Sequence, residues 1–270
     1  MKTFFKKFFA FFIKDLKIAL SYRFNILFQL FVYVSIFSFL FFIFSTNLLI
    51  FKNETNNFDQ NFSSIFIGFA LIDYMFSCIS VFSREVRLAQ TQGTFETLLV
   101  TNTSITTIIV SSYALTFIRA SLRIVIYFII CKFLFGLDID FVEMPAFLAI
   151  IFYSSLPFIG IGLFSAAFVI IFKVGNVINF FVGISSIFFS GIFFPTSVLP
   201  QSLIYLSEII PLNLGLELTK TIIFDDYNSA NYTEMLTMIG LQIILFLPTG
   251  IFFVYYALKL SKKNGSLNYY

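Results

Sequence analysis

Three charged residues stand inside long apolar segments, where charge is costly. Asp73 lies near the middle of one segment, and Arg119 and Arg123 lie one helical turn apart in the next. A lone charge at the centre of a bilayer costs about 3 kcal/mol even on a lenient scale, so such residues usually find a partner or face water. We expect Asp73 to pair with Arg119, or with Arg123 if the later segment begins further along. At the least, such a pair locks two neighbouring helices together.

Other reactive side chains are sparse. The chain has no histidine, and its two cysteines, Cys78 and Cys131, lie in apolar segments without metal-ligand spacing. No glycine is followed by lysine, which excludes a GxxxxGK[ST] phosphate-binding loop, and no GxGxxG motif occurs. A membrane-embedded hydrolase or transferase would need Asp, Glu, Ser or Lys side chains to converge, and no motif places them together. We therefore expect no catalytic, cofactor-binding or metal-binding residue in this chain.

The composition indicates an integral membrane protein. Of 270 residues, 59% are hydrophobic, 43 are phenylalanine and 11% are charged, which is too little polar surface for a soluble globule of this size. The net charge of +3 provides no general basic field for nucleic acid. Membrane lipid is the expected surrounding, and nucleic acid is not an expected partner.

Apolar segments long enough to cross a bilayer recur six times, which predicts an all-α membrane protein with one domain over residues 1–270. The expected spans are residues 24–44, 62–82, 105–135, 145–172, 177–194 and 234–258. Residues 1–20 place lysines on one arc of a helix and phenylalanines on the other, which is typical of an interfacial amphipathic helix. A cleaved signal peptide is the alternative, but Lys14 and Asp15 end the apolar run early and no small-residue cleavage site follows.

Prolines interrupt residues 195–224, between the fifth and sixth spans, so a single straight helix is excluded there. The prolines are Pro195, Pro200 and Pro211. We expect two short helices, residues 200–209 and 213–224, the first beginning near Pro200 and the second capped by Asn213. Irregular backbone at membrane depth must be buried by protein or wet, so this pair is either re-entrant or seated on the outer surface of the bundle.

Two further patterns concern packing. Gly160 and Gly162, with Ser165 and Ala166, make a small-residue face on the fourth span that suits close helix contact. Seven tyrosines at or near span ends are expected to act as interfacial anchors. They are Tyr22, Tyr33, Tyr113, Tyr127, Tyr205, Tyr255 and Tyr256.

The distribution of basic residues predicts that both termini and residues 83–104 are cytoplasmic. This orientation places twelve basic residues inside: Lys2, Lys6, Lys7, Lys14, Lys17, Arg23, Arg84, Arg87, Lys173, Lys259, Lys262 and Lys263. It leaves three outside: Lys52, Lys132 and Lys220.

Residues 83–104 are longer than a helix hairpin needs, which makes them a candidate contact surface. Arg84, Glu85 and Arg87 extend the second span beyond the membrane, and Gly93 permits a sharp reversal. Residues 94–100 then suit a short helix with one exposed apolar ridge, made of Phe95, Leu98 and Leu99. A solvated loop folded back onto the bilayer is the alternative.

This stretch resembles the loop of ABC-2 type exporter permeases, which carries a pattern like R-E…G-T-x-E-x-L-L-x-T. The matching residues are Arg84, Glu85, Gly93, Thr94, Glu96, Leu98, Leu99 and Thr101, while Asn102 stands where such permeases often have proline. The resemblance extends to the basic amphipathic N-terminus, the six spans and the G-x-F-F-P-x-x-x-L-P run over residues 191–200, followed by Pro211.

The resemblance implies that residues 83–104 form a coupling segment seated on a separate ATP-binding cassette subunit, which binds ATP and Mg²⁺. It also implies a dimer with a second permease copy or homologue in the cytoplasmic membrane, and export of an amphipathic or lipid-linked substrate. Asp73, Arg119 and Arg123 would then line or support the substrate path, with the prolines of residues 195–224 at an external gate. An ATP-independent secondary transporter or channel is the alternative, although we see no internal repeat.

Overall fold

The computed structural model of the chain describes residues 9, 13, 17, 21, 23–45, 58–95, 105–137, 139–173, 177–193, 196–224 and 229–263. Within these ranges the protein is all-helical, as predicted, with short turns and no strand. The helices are α1 (Arg23–Ser45), α2 (Phe58–Thr91), α3 (Ile105–Phe135), α4 (Met144–Phe172), α5 (Val177–Phe189), α6 (Gln201–Ile209), α7 (Pro211–Ile223) and α8 (Ser229–Lys263). Short 3-10 turns at Phe141–Glu143 and Thr196–Val198 precede α4 and α6. Most of the expected interfacial helix, residues 1–20, lies outside the described ranges.

Four helices in the described ranges are long and apolar enough to cross a membrane, so the protein is multi-pass. Their spanning parts are Phe62–Thr91, Ile109–Phe135, Phe141–Phe172 and Tyr232–Lys263. α5 is apolar but has 13 residues, about 20 Å of helix against a hydrocarbon core of about 30 Å. The count of six spans stays a prediction, with α5 and the 23-residue α1 as the two further candidates.

The helix ends differ from the expected spans in both directions. α2 continues past residue 82 through Arg84 and Arg87 to Thr91, and α8 runs on to Lys263. α5 stops at Phe189 instead of residue 194. Gly191 follows with φ 72, a left-handed backbone conformation that does not continue a helix.

α4 lies at the centre of the bundle, with α8, α2 and α7 packed against it. Gly160 faces α8, since a Cβ added there would collide with the backbone of Phe246. Gly162 faces α2, since a Cβ added there would lie 2.7 Å from the carbonyl oxygen of Cys78. The predicted close helix contact is confirmed at both glycines, but they lie on two sides of α4 and not on one face. Residues two apart point to opposite sides of a helix, so the glycines admit one neighbour on each side of α4.

The residues after α5 form two short helices, and the second begins earlier than expected. Pro200 is the N-cap of α6, and Pro211 is the first residue of α7. Proline suits the first helical position because it has no N–H to leave unpaired. Asn213 is therefore a buried residue inside α7 and not its N-cap. Pro195 lies outside the described residues.

α6 and α7 differ in their surroundings. Most of α7 is buried against α4, α2, α8 and α5, whereas Ser207 is the buried residue of α6. The side-chain amide of Gln242 on α8 donates to the carbonyl oxygen of Ile209, the last residue of α6. The segment after α5 is therefore built into the bundle through α7.

Candidate functional site

Asp73 and Arg123 form an ion pair between α2 and α3. Nη2 of Arg123 lies 2.6 Å from Oδ2 of Asp73, and Nε donates to the same oxygen over 2.9 Å. Nη2 also donates over 3.1 Å to Oγ of Ser77, one turn from Asp73. The side chains of Arg123 and Asp73 are 21% and 10% exposed. Of the two arginines named from the sequence, Arg123 makes this pair; Arg119 lies one turn earlier and is partly buried.

Tyr33 of α1 adds a third helix to the site. Its hydroxyl donates to Oδ1 of Asp73 over 2.9 Å, so both carboxylate oxygens accept hydrogen bonds. Its ring stacks on that of Tyr127, one turn after Arg123, with ring centres 4.4 Å apart. The two tyrosines thus pack together beside the ion pair, and their expected anchoring at a membrane interface stays a prediction. No sequence spacing links Tyr33 to a carboxylate forty positions later.

The ion pair fastens helices together. The attraction within a buried ion pair offsets the cost of desolvating both charges only when their remaining hydrogen-bonding groups have partners. Ser77 and Tyr33 supply two of these partners. Removing one charge would leave the other uncompensated, which costs about 3–5 kcal/mol. The arrangement can hold α1, α2 and α3 in one register, or release them together if the pair opens.

α2 ends in a glycine turn of the Schellman type. The N–H of Gly93 donates to the carbonyl oxygen of Gln90 over 3.1 Å. The N–H of Thr94 donates to the carbonyl oxygen of Ala89 over 2.9 Å. Gly93 has φ 66, a left-handed conformation that glycine adopts without strain. The chain reverses here with Gln92 and Thr94 at the surface.

Phe95, expected on an exposed apolar ridge, is buried instead. It is 7% exposed and belongs to the main apolar core of the bundle. The glycine turn is the physical reason, because it directs the following residues back towards the helix that it ends. An amphipathic pattern alone does not tell whether an apolar side chain meets a partner or its own bundle.

The other residues named for this surface are partly outside the described ranges. Arg84 and Arg87 are exposed, and Glu85 is partly buried. Of the residues named for this surface, Glu96, Leu98 and Leu99 lie outside the described ranges. The contact surface at residues 83–104 therefore stays a prediction, without Phe95 in its exposed part.

The turn that follows α5 packs on α2, close to the ion pair. Ile192 covers Gly68, since a Cβ added at Gly68 would lie 2.6 Å from Cγ2 of Ile192. Phe193 meets Phe69 edge to face, with ring centres 5.9 Å apart. Phe69 is one helical turn from Asp73, so the turn just before the segment expected at an external gate touches the helix that carries the carboxylate.

Two lysines expected on the external side are held against the protein. Lys132 donates to the carbonyl oxygen of Ile139 and lies 3.3 Å from Oδ1 of Asp140, which fastens the end of α3 to the turn before α4. Burial lowers the pKa of Lys220 on α7, while the charge of Glu217 opposes that shift.

The described residues contain no group of three His, Cys, Asp or Glu side chains that could hold a metal ion. Cys78 and Cys131 are both buried and free.

A sequence profile of the family described as ABC-2 type transporter matches residues 6–224, more than half of the chain. The match includes the ion pair and the Gly93 turn, and it ends before α8. No curated protein matched the chain in sequence comparison.

Proposed function

The chain belongs to the ABC-2 type transporter family, and we propose that it is the membrane subunit of an ATP-driven exporter. In this proposal a separate ATP-binding cassette subunit binds ATP and Mg²⁺ and docks on residues 83–104. The chain crosses the cell membrane six times with both termini in the cytoplasm. It works as a dimer with a second permease, and its substrate is amphipathic or lipid-linked because the surrounding spans are apolar.

The continuity of α2 is the observation that carries the proposal. One helix runs from Phe58 to Thr91 through Asp73 and ends at the Gly93 turn. Gly93 and Asp73 are twenty residues apart, or about 30 Å along the helix axis. A force applied at the turn therefore reaches the ion pair without an intervening joint, which supports mechanical coupling between a docked ATPase and the membrane helices.

The parts of this site have separate roles in the proposal. Residues exposed at the end of α2 and in the following segment contact the ATP-binding subunit, while buried Phe95 supports the turn from inside. Asp73, Arg119 and Arg123 lie along or beside the substrate path. The external gate is the proline-containing segment, with Pro195, Pro200 and Pro211. The turn just before that segment touches α2 through Ile192 and Phe193.

Replacing both Leu98 and Leu99 by Asp tests the docking surface. Burial of a leucine contributes about 1.5–3 kcal/mol, so the double change should remove the ATP-binding subunit from the purified complex. Ile209→Asp, at an exposed apolar position on α6, is the matched control and should retain the subunit. Unchanged co-purification and ATP hydrolysis in the double variant would refute the docking surface. Transport in membranes without the ATP-binding subunit would instead indicate an ATP-independent transporter or channel.

A further inference from the structure

α5 runs antiparallel to α2. Two contacts join the helices, Asn179 with Ser83 and Gly183 with Phe76, and a third joins Ile192 of the following turn with Gly68. A Cβ added at Gly183 would lie 2.5 Å from Cε1 of Phe76, so the ring of Phe76 packs directly on the backbone of α5 here. α5 and its following turn therefore lie along α2 from the ion-pair region to the start of its polar end.

The first of these three contacts is polar and the other two are apolar. Nδ2 of Asn179 donates to Oγ of Ser83 over 2.8 Å, and the two residues are 5% and 0% exposed. Ser83 directly precedes Arg84, where α2 leaves its apolar part. Hydrogen bonds weaken steeply when their geometry changes, whereas apolar contacts are not directional and tolerate sliding. Asn179 is thus the side chain that fixes the register of α5 on α2.

We propose that Asn179 is a positioning residue that makes α5 move together with α2. This inference rests on the proposed function, because it requires an ATP-binding subunit that displaces the turn at Gly93. With the hydrogen bond in place, displacement of α2 carries α5 and the Ile192 turn, and with them the proline-containing segment. Without it, α2 slides along the apolar contacts and that segment no longer follows.

The test uses the full chain in complex with its ATP-binding subunit. Cys78→Ala and Cys131→Ala remove the native thiols, and Val198→Cys places a reporter on the turn before α6, at a residue that is 67% exposed. The rate at which the reporter reacts with a maleimide is measured without nucleotide and after trapping with ATP and vanadate. We expect a severalfold change in this rate, and we expect Asn179→Leu to abolish the change while ATP hydrolysis continues at the parent rate.

The variants are chosen to separate coupling from folding. Asn179→Leu keeps most of the side-chain volume, and Ser83 still donates to the carbonyl oxygen of Ser80 over 3.2 Å, so the fold should survive. The exchange Ser83→Asn with Asn179→Ser restores the bond with its groups reversed and should restore the nucleotide-dependent change. A full response in Asn179→Leu overturns the proposal.

A cross-link decides the question even if Asn179→Leu does not fold. Ser83→Cys with Asn179→Cys, once oxidised to a disulfide, fixes α5 to α2, and the reporter should keep its full nucleotide response. Loss of the response on oxidation would show that the two helices must slide, and the proposal would be wrong. If the parent chain shows no nucleotide response at all, the proposed function fails and this inference fails with it, so the two failures are told apart.

Discussion

The carboxylate of Asp73 joins three helices at one point of the bundle. It accepts from Arg123 on α3 with one oxygen and from Tyr33 on α1 with the other. Arg123 divides its Nη2 between Asp73 and Ser77, so each member of the group depends on the others. Such networks are non-additive: losing one charge costs more than removing the pair.

Asp73→Asn should destabilise the protein by about 3–5 kcal/mol, because it leaves Arg123 buried without its countercharge. Removing both charges, with Asp73→Leu and Arg123→Met, should cost much less. Thermal unfolding of the detergent-purified protein measures both effects. The exchange Asp73→Arg with Arg123→Asp should recover folded protein, and the same exchange made with Arg119 is the matched control. A stable Asp73→Asn variant would contradict the pairing.

Gly93 and Gly136 allow the conformational and functional roles of a glycine turn to be separated. Their φ angles are 66 and 68, and a Cβ added at either would meet nothing within 4 Å. Alanine at either position should cost about 1 kcal/mol through left-handed strain alone. Gly93→Ala should also weaken association with the ATP-binding subunit, because its turn leads into the proposed contact, and Gly136→Ala should not. Thermal unfolding measures the loss of stability, and co-purification measures the association. Equal association of both variants would contradict a role of the Gly93 turn in binding the ATP-binding subunit.

Among the helices, α4 and α8 make the most extensive contact, through two glycines that let their backbones meet. A Cβ added at Gly160 would collide with the backbone of Phe246, and one added at Gly250 would collide with the carbonyl oxygen of Gly160. α8 lies beyond the residues matched by the family profile, yet it packs on the central helix. The last helix is therefore part of this fold and not an appendage.

Gly160→Val should cost about 3 kcal/mol, because a backbone cannot move aside as a flexible side chain can. Ala149→Val is the matched control, since Ala149 is an exposed small residue on the same helix. The control should stay within about 0.5 kcal/mol of the parent. Size-exclusion chromatography after heating measures the loss of folded protein, and equal survival of both variants would show that the close crossing is not needed.

Helix positions were predictable because their signals are local. Apolar runs gave α3 over the expected residues 105–135, and prolines marked the short helices after α5. Asn213 failed as an N-cap because Pro211, two positions earlier, fits the first helical turn better. Tyr33 at Asp73 and Asn179 at Ser83 join residues 40 and 96 positions apart, so no periodicity reveals them. Phe95 shows the same limit. Its place in the apolar pattern fits a contact with a partner protein as well as a contact within its own bundle.

Across the molecule, the described helices form an apolar bundle, and α2 ends in the turn at Gly93. Large apolar side chains remain exposed along α1, including Phe24, Phe31 and Phe39, as expected for surfaces that meet lipid or another membrane helix. α2 connects the ion pair, the contact with α5 and the Gly93 turn. We therefore propose that an ATP-binding subunit acts on this bundle through the end of α2.

A photo-crosslinking amino acid placed at single positions in cells tests that claim most directly. Gln92 is exposed beside Gly93. Val142 is 88% exposed and lies just before α4, at the end of α3 that is far from the Gly93 turn. We predict a light-dependent covalent adduct with an ATP-binding cassette subunit from Gln92 and none from Val142. An adduct from Val142, or no adduct from Gln92, would contradict the account.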